Sequence, residues 1–148
     1  MLKLRYYQED AIESFFDYTA NNWGKNPLII IPTAGGKALV QATIIKRMLE
    51  WPNTRILLLT HDQNLIQQNF DELMGLMNDQ LVDSGIYCAS LKRRDTRSRV
   101  LFAGIQSVYK KAWELGFFNL ILIDEAHLTN HKDEGMYRSF LKEKQKVS

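Results

Sequence analysis

The sequence lacks the features that mark several specialised classes of protein. A single cysteine, Cys88, among 148 residues excludes an internal disulfide and is typical of a reducing compartment, so we expect a cytoplasmic protein. No apolar run approaches the ~20 residues that a membrane-spanning helix needs, and the first residues do not resemble a secretion signal. Internal repeats and low-complexity tracts are absent as well. We therefore expect one domain of ordinary size and no membrane partner.

An excess of charge of one sign is also missing. The 19 basic and 17 acidic residues leave a net charge of only +2, so any nucleic-acid-binding surface would be local. Hydrophobic residues make up 45% of the chain, which is typical of a globular protein and excludes a disordered one.

What the chain does contain is an alternation of short apolar runs with amphipathic helices. The predicted strands are residues 28–31, 55–60, 85–88, 99–102 and 120–123, and the predicted helices are residues 7–20, 37–50, 64–77, 105–115 and 134–146. Strands that are apolar on both sides and separated by helices predict an α/β fold, a three-layer sandwich with a mainly parallel sheet. Ligands bind at the carboxyl ends of such strands, so the loops there are the candidate functional sites.

The loop after the first predicted strand has the chemistry of a phosphate-binding loop. Gly35 and Gly36 let the backbone approach a ligand, and the helix that starts at Lys37 directs free N–H groups and a lysine toward an anion. A tight turn followed by a solvated lysine is the alternative. The general P-loop pattern is incomplete here, because Ile31 replaces its first glycine and Ala38 replaces the hydroxyl residue that ligates Mg²⁺. We therefore expect phosphate binding to survive and metal placement to suffer.

The loop after the last predicted strand carries two carboxylates. Asp124 is placed where a Mg²⁺-holding aspartate is expected, and Glu125 could orient or deprotonate the attacking water. A strand end capped by solvated acids is one alternative. A zinc ion held by Glu125, His127 and His131 is another, although the His-Glu-x-x-His pattern of zinc proteases is absent.

Five segments together resemble the superfamily-two DEAD/DEAH-box helicases, and most of all the bacterial and phage members that are related to type III restriction subunits. The segment from Pro32 to Lys37 resembles motif I, and Asp124 to His127 has the DEAH form of motif II. The opening Leu4 to Gln8 resembles the glutamine-bearing segment that precedes motif I. Leu59-Thr60-His61 is similar to motif Ia, and Gly104 to Ser107 resembles the segment after the fourth strand. The five segments occur in the order that the family shows, and together they cover nearly the whole chain.

The resemblance implies a RecA-like P-loop domain that binds ATP and Mg²⁺, with roles for individual residues. It assigns adenine contact to Gln8 together with Arg5, phosphate binding to Thr33, Ala34, Gly35, Gly36, Lys37 and Ala38, Mg²⁺ to Asp124, and catalysis to Lys37 and Glu125. His127 would couple the nucleotide state to a partner domain. The resemblance places Thr60, His61, Gln106 and Ser107 on a face that tracks nucleic acid, although Thr60 could instead cap a helix and Gln106 could satisfy a buried carbonyl.

Residues 92–99 carry five basic side chains and one acid, and they form a second candidate nucleic-acid contact. Arg93 and Arg94 are its centre, and a solvated surface loop is the equally weighted alternative.

Family members continue past motif II to a third motif and a second RecA-like domain with arginine fingers, which this sequence does not contain. We therefore expect residues 1–148 to be a domain truncated after motif II, inactive in isolation, with an exposed sheet edge that favours self-association. The leading interpretation is the ATP-binding domain of a helicase or translocase that acts on DNA rather than RNA. A non-catalytic, nucleotide-gated nucleic-acid-binding module is the alternative. A small-molecule kinase would need a substrate lid, which is not visible.

Overall fold

The computed structural model describes residues 4–21, 37–60, 63–77, 83–123 and 135–142. The protein chain forms two compact units. The first comprises residues 1–50 with 72–78, and the second comprises residues 51–71 with 79–148.

The first unit contains two helices that pack against each other. Helix α1 spans Tyr6–Asn21 and helix α2 spans Lys37–Leu49. Each buries one apolar stripe at helical spacing, as the sequence predicts. Arg47 of α2 forms an ion pair with Glu13 of α1 at 2.8 Å and lies 5.5 Å from the Phe16 ring centroid. The buried residues of the two helices are Gln8, Ile12 and Phe15 in α1 and Val40, Ala42, Ile44 and Ile45 in α2.

The second unit is built on a five-stranded, mostly parallel sheet. In chain order the strands are β1 (Ile56–Thr60), β2 (Ser84–Cys88), β3 (Arg93–Arg94), β4 (Val100–Gly104) and β5 (Leu120–Ile123). Their order in the sheet is β3-β2-β4-β1-β5, and only the β2–β3 pair is antiparallel. Strands β1 and β4 are buried along their whole length, which explains why their sequences are apolar on both faces.

Helices cover both faces of this sheet. One face carries the main core, in which Leu57, Leu101 and Tyr87 pack with the short helices α4 (Ile105–Val108) and α5 (Ala112–Leu115) and with the helical residues 135–142. On the other face, Phe70 of helix α3 (Ile66–Met77) contacts Phe102 with their rings 5.2 Å apart, edge to face. The predicted layered α/β architecture is therefore confirmed.

The four predicted strands that fall on described residues are all present, with ends shifted by at most two residues. The first predicted strand, residues 28–31, lies outside the described residues. Helix α3 also agrees, preceded by a 3-10 turn at Gln63–Leu65. Of the final predicted helix, residues 135–142 are helical and the remainder is outside the described part.

The single helix predicted over residues 105–115 is wrong. The chain forms two one-turn helices, because Lys111 has φ −125° and ψ 27° and interrupts the helical hydrogen bonds. The apolar residues on either side of this break, Ile105, Val108, Ala112 and Leu115, are all buried in the same core. Their spacing of three, four and three residues therefore predicted the buried face correctly and the backbone continuity incorrectly.

Arg55 holds the amino-terminal edge of the sheet together. Its guanidinium donates hydrogen bonds to the carbonyl oxygens of Ser98 (3.1 Å), Thr96 (2.8 Å) and Leu115, and it lies 4.3 Å from the Phe118 ring centroid. Burial lowers the pKa of Arg55, and the nearby carboxylate of Asp83 opposes that shift. One planar side chain thus joins the segments that enter β4 and β5.

None of the helices in the described ranges is long and apolar enough to cross a bilayer.

Candidate nucleotide and nucleic-acid site

Gln8, the predicted adenine contact, lies in the first turn of α1. Its side chain is 3% exposed, and its Oε1 accepts the backbone N–H of Arg5 at 2.8 Å. Arg5 is the residue before the helix, so this bond is the glutamine half of a capping box, in which a side chain three residues on satisfies the N-cap amide. The Arg5 guanidinium donates to the Tyr7 hydroxyl at 3.3 Å. The structure therefore brings Arg5 and Gln8 together at the helix start, and it gives Gln8 a structural role that the sequence did not reveal.

Lys37 and Ala38 are the first two residues of α2. Both are half-buried. The first turn of a helix has free N–H groups and the positive end of the helix dipole, so a lysine there suits a phosphate group. Ala38 offers only a methyl group, which cannot ligate a metal ion. The described part of the predicted phosphate site therefore has a lysine in the first turn of a helix and lacks the usual hydroxyl ligand for Mg²⁺.

The other predicted nucleotide-site residues lie outside the described residues, as do those of the zinc alternative. They are Thr33, Ala34, Gly35, Gly36, Asp124, Glu125, His127 and His131. His61, predicted to contact nucleic acid, also lies outside them.

Three predicted nucleic-acid contacts lie at or just beyond the carboxyl ends of adjacent strands. Thr60 ends β1 and is paired in register with Gly104, which ends β4. Gln106 and Ser107 follow Gly104 by two and three residues, within the single turn of α4. Thr60 is 6% exposed, whereas Gln106 and Ser107 are half-buried. The sheet therefore brings Thr60, Gln106 and Ser107 to one edge, the edge at which parallel sheets bind ligands.

Ser107 also connects two loops at this edge of the sheet through a hydrogen bond. Its Oγ accepts the backbone N–H of Ala89 at 3.0 Å, just after β2 ends. The buried thiol of Cys88 lies 3.1 Å from Ser90 Oγ and 3.9 Å from Gln63 Oε1. Sequence reasoning did not single out Gln63 or Ser90, since only the order of the strands in the sheet makes them neighbours.

The basic segment, residues 92–99, lies largely at the surface and contains one short strand, and its contact with nucleic acid stays a prediction. Arg93 and Arg94 form the short strand β3, antiparallel to β2. Asp95 accepts the backbone N–H of Ile86 at 3.0 Å and forms an ion pair with Arg93. The hydrogen bond from Ile86, followed by that from Arg93, holds the pKa of Asp95 below its ordinary value. Arg93 is thus matched by a carboxylate, whereas Arg94 is exposed and forms no ion pair within the described residues.

A second arginine of the segment is structural. Arg99 donates to the carbonyl oxygens of Thr54 at 3.0 Å and Trp51 at 3.1 Å, which fixes the turn before β1. The exposed cations that remain in the segment are Lys92, Arg94 and Arg97.

The mostly parallel sheet, with helices on both of its faces, defines a RecA-like α/β fold. Solved structures with the same fold agree. The UvsW helicase from bacteriophage T4 matches with a TM-score of 0.71 and 21% identity, over 97% of this chain and 50% of that one. A nuclease-deletion mutant of the Type ISP restriction-modification enzyme LlaGI, solved with a DNA substrate mimic, matches with a TM-score of 0.61 and 19% identity, over 95% of this chain and 16% of that one.

Residues 1–147 match the family model described as type III restriction enzyme, res subunit, and the chain belongs to that family. The chain corresponds to the N-terminal, ATP-binding domain of superfamily-two helicases. The DEAD-box ATP-dependent DNA helicase Fancm of Drosophila melanogaster is 26% identical over 140 residues, which are 85% of this chain and 9% of that protein. The chain therefore spans half of the T4 helicase chain and about a tenth of the fly protein.

Proposed function

We propose that this chain binds ATP and, together with a second RecA-like domain, drives a helicase or translocase along DNA. The observation that carries the proposal is the family match over residues 1–147, with the polar edge that Thr60, Gln106 and Ser107 form in the sheet. DNA is chosen over RNA because Fancm is a DNA helicase and the LlaGI structure was solved with a DNA mimic.

ATP would be held by Lys37 and the loop before it, with Gln8 and Arg5 at the adenine. Bound ATP and Mg²⁺ supply a phosphoryl group that water can attack, and a metal charge that neutralises the phosphates. Asp124 would hold Mg²⁺, Glu125 would orient or deprotonate the water, and His127 would couple this site to the partner domain. The residues Thr33, Ala34, Gly35, Gly36 and Ala38 would surround the phosphates.

The nucleotide site is tested by comparing Lys37→Ala with Lys46→Ala in titrations of a fluorescent ATP analogue. Both lysines lie in α2, Lys37 in its first turn and Lys46 in its last. A phosphate-binding lysine should weaken nucleotide affinity by roughly tenfold or more when removed, since hydrogen bonds to charged groups contribute about 1.5–3 kcal/mol. Equal affinity of the two variants would show that Lys37 does not bind phosphate.

Nucleic acid would bind along the carboxyl edge through Thr60, His61, Gln106 and Ser107, with the basic segment of Arg93 and Arg94 beside it. Gln106→Ala tests this edge more specifically than Ser107→Ala would. Ser107 also supports the Ala89 loop, so its loss would disturb the fold. The expected result is weaker DNA binding with an unchanged unfolding midpoint.

Ala38 favours a second candidate, a nucleotide-gated DNA-binding module that does not turn over ATP. The two functions differ in what Ala38→Ser does once the chain is joined to a second RecA-like domain. DNA-stimulated ATP hydrolysis that appears or rises strongly in this variant supports the motor. DNA affinity that responds to nucleotide, with no turnover in either form, supports the module.

A further inference from the structure

Arg94 lies on the sheet face that carries α4 and α5. The register of the β2–β3 hairpin pairs Arg94 with Tyr87. Directly opposed residues of an antiparallel pair project to the same face with their Cβ atoms about 4.5–5.5 Å apart. Tyr87 belongs to the core packed under α4 and α5, so Arg94 borders the surface of those helices.

Two lysines between α4 and α5 extend this surface. Lys111 Nζ lies 5.8 Å from the centroid of the Tyr87 ring, and Lys110 Nζ lies 5.4 Å from that of Tyr109. Lys110 is exposed and Lys111 is half-buried. A cation over an aromatic ring keeps an uncompensated charge and free N–H donors, whereas a carboxylate partner offsets the charge of a cation and occupies at least one of its donors.

The contrast with Arg93 shows which cations can serve a polyanion. Arg93 is paired with Asp95, whose other contact is the Ile86 amide. Glu114 is close to this surface and accepts the Tyr87 hydroxyl at 3.2 Å. Within the described residues none of Arg94, Lys110 and Lys111 forms an ion pair. We call the surface formed by these three cations the basic flank.

The basic flank is also continuous with the carboxyl edge of the sheet. The Ser107–Ala89 hydrogen bond joins the start of α4 to the turn between β2 and β3. Lys110 follows Ser107 by three residues and Arg94 follows Ala89 by five residues, so both cations flank the two segments that this bond joins.

We infer that Arg94, Lys110 and Lys111 form a phosphate-binding surface for the DNA backbone, outside the loops that resemble helicase motifs. This inference rests on the proposed function, since it assigns a path to the DNA that the edge is proposed to bind. It also divides the basic segment, with Arg94 as a DNA contact and Arg93 as a residue that holds the hairpin.

The test measures binding of a fluorescent single-stranded oligonucleotide by anisotropy over a series of salt concentrations. The variant is Arg94→Gln with Lys110→Gln, and the control is Lys46→Gln with Arg47→Gln, which removes the same charge from α2 in the first unit. Removing one cation that binds a phosphate should reduce the slope of log affinity against log salt by about 0.7 on single strands. The slope of the flank variant should therefore fall by about 1.4, and the control should keep the wild-type slope. Lys111→Gln, measured alone, should reduce the slope by about 0.7.

The outcomes separate the two proposals. Wild-type binding with slopes that are equal in all variants would overturn the basic flank and leave DNA binding at the edge intact. The same result is expected if the basic flank binds a protein partner instead of DNA. Equal reductions in the flank variant and the control would also overturn the proposal, because the effect would then come from net charge. No salt-dependent binding by the wild-type chain would overturn the proposed function and the flank together. Thermal unfolding of each variant shows that it is folded, and Arg94→Gln alone is used should the double variant unfold.

Discussion

Gly85 lies in β2 where two side chains of the following segment close over its α-carbon. A Cβ atom added there would sit 2.7 Å from Asp95 Cβ and closer still to Ser98 Oγ. Neither atom is the end of a long flexible side chain, and Asp95 is held by its bonds to Ile86 and Arg93. We expect Gly85→Ala to lower the free energy of unfolding by about 1–3 kcal/mol, the usual cost of overpacking. Urea denaturation measures this change.

Gly75→Ala is the matched control. Gly75 lies inside α3, and a Cβ atom added there meets nothing within 4 Å. Since alanine has a higher helix propensity, this variant should be more stable by about 0.5–1 kcal/mol. Similar midpoints for the two variants would contradict the close packing at Gly85.

A second prediction compares the stability of lysine substitutions at Arg55 and at Arg47. Arg55→Lys replaces a planar group that binds four separate carbonyls with one ammonium group, so the carbonyls of Thr96 and Ser98 lose their donors. We expect a loss of about 2–3 kcal/mol in the free energy of unfolding. Arg47→Lys should cost less than about 1 kcal/mol, because its ion pair with Glu13 is on the surface. Chemical denaturation of both variants measures the change. Equal losses in the free energy of unfolding would show that the hydrogen bonds of Arg55 do not stabilise the fold more than a surface ion pair does.

At the scale of elements, the β2–β3 hairpin depends on the ionised form of Asp95. Its pKa is lowered in the folded chain, by the Ile86 amide first and by Arg93 after that. The folded protein therefore holds the proton less tightly than the unfolded chain, whose aspartate pKa is about 3.9. The resulting stabilisation is fully present above that value and is lost as the pH falls through the folded-state pKa. The side chain is 38% exposed, so we expect less than about 1 kcal/mol.

The measurement compares wild type with Asp95→Asn in urea at pH 6 and at progressively lower pH. Wild type should be the more stable protein at pH 6, and the difference should shrink below about pH 4. A difference that stays constant with pH would mean that the carboxylate charge contributes nothing to the hairpin.

The elements themselves were predictable where burial dominates. Strands β1 and β4 have apolar runs because they lie inside the sheet, and α1, α2 and α3 show stripes because one side of each is buried. Strand β5 is also apolar, although it is half-buried and ends the described sheet. The short strand β3 was missed, since its two arginines carry no apolar signal and pair with β2 only through the local hairpin. The break at Lys111 was missed because its flanking apolar residues keep helical spacing.

For the candidate site, the sequence predicted where the loops lie better than how their residues are held. The alternation of strands and helices placed the loops after β1 and β4 at the carboxyl edge of the sheet, and the register pairs Thr60 with Gly104 there. That Thr60, Gln106 and Ser107 contact nucleic acid stays a prediction. The sequence did not reveal that Gln8 caps its own helix or that Ser107 supports Ala89. Nor did it separate Arg93 from Arg94, because that distinction depends on which cation a folded neighbour neutralises.

At the scale of the whole molecule, a nucleotide that binds only the folded chain must stabilise it by mass action. At a concentration 100 times the Kd this amounts to about 2.7 kcal/mol, which raises the midpoint of thermal unfolding by roughly 5–11 °C for a chain of 148 residues. Because Ala38 lacks the oxygen that ligates Mg²⁺, we expect ATP to give nearly the same shift with Mg²⁺ as with excess chelator. Ala38→Ser should add a Mg²⁺-dependent increment, and Lys37→Ala should abolish most of the shift. Scanning calorimetry of the three proteins, with and without Mg²⁺, measures each difference. A strong Mg²⁺ dependence in the wild-type chain would mean that other groups hold the metal without the hydroxyl at position 38.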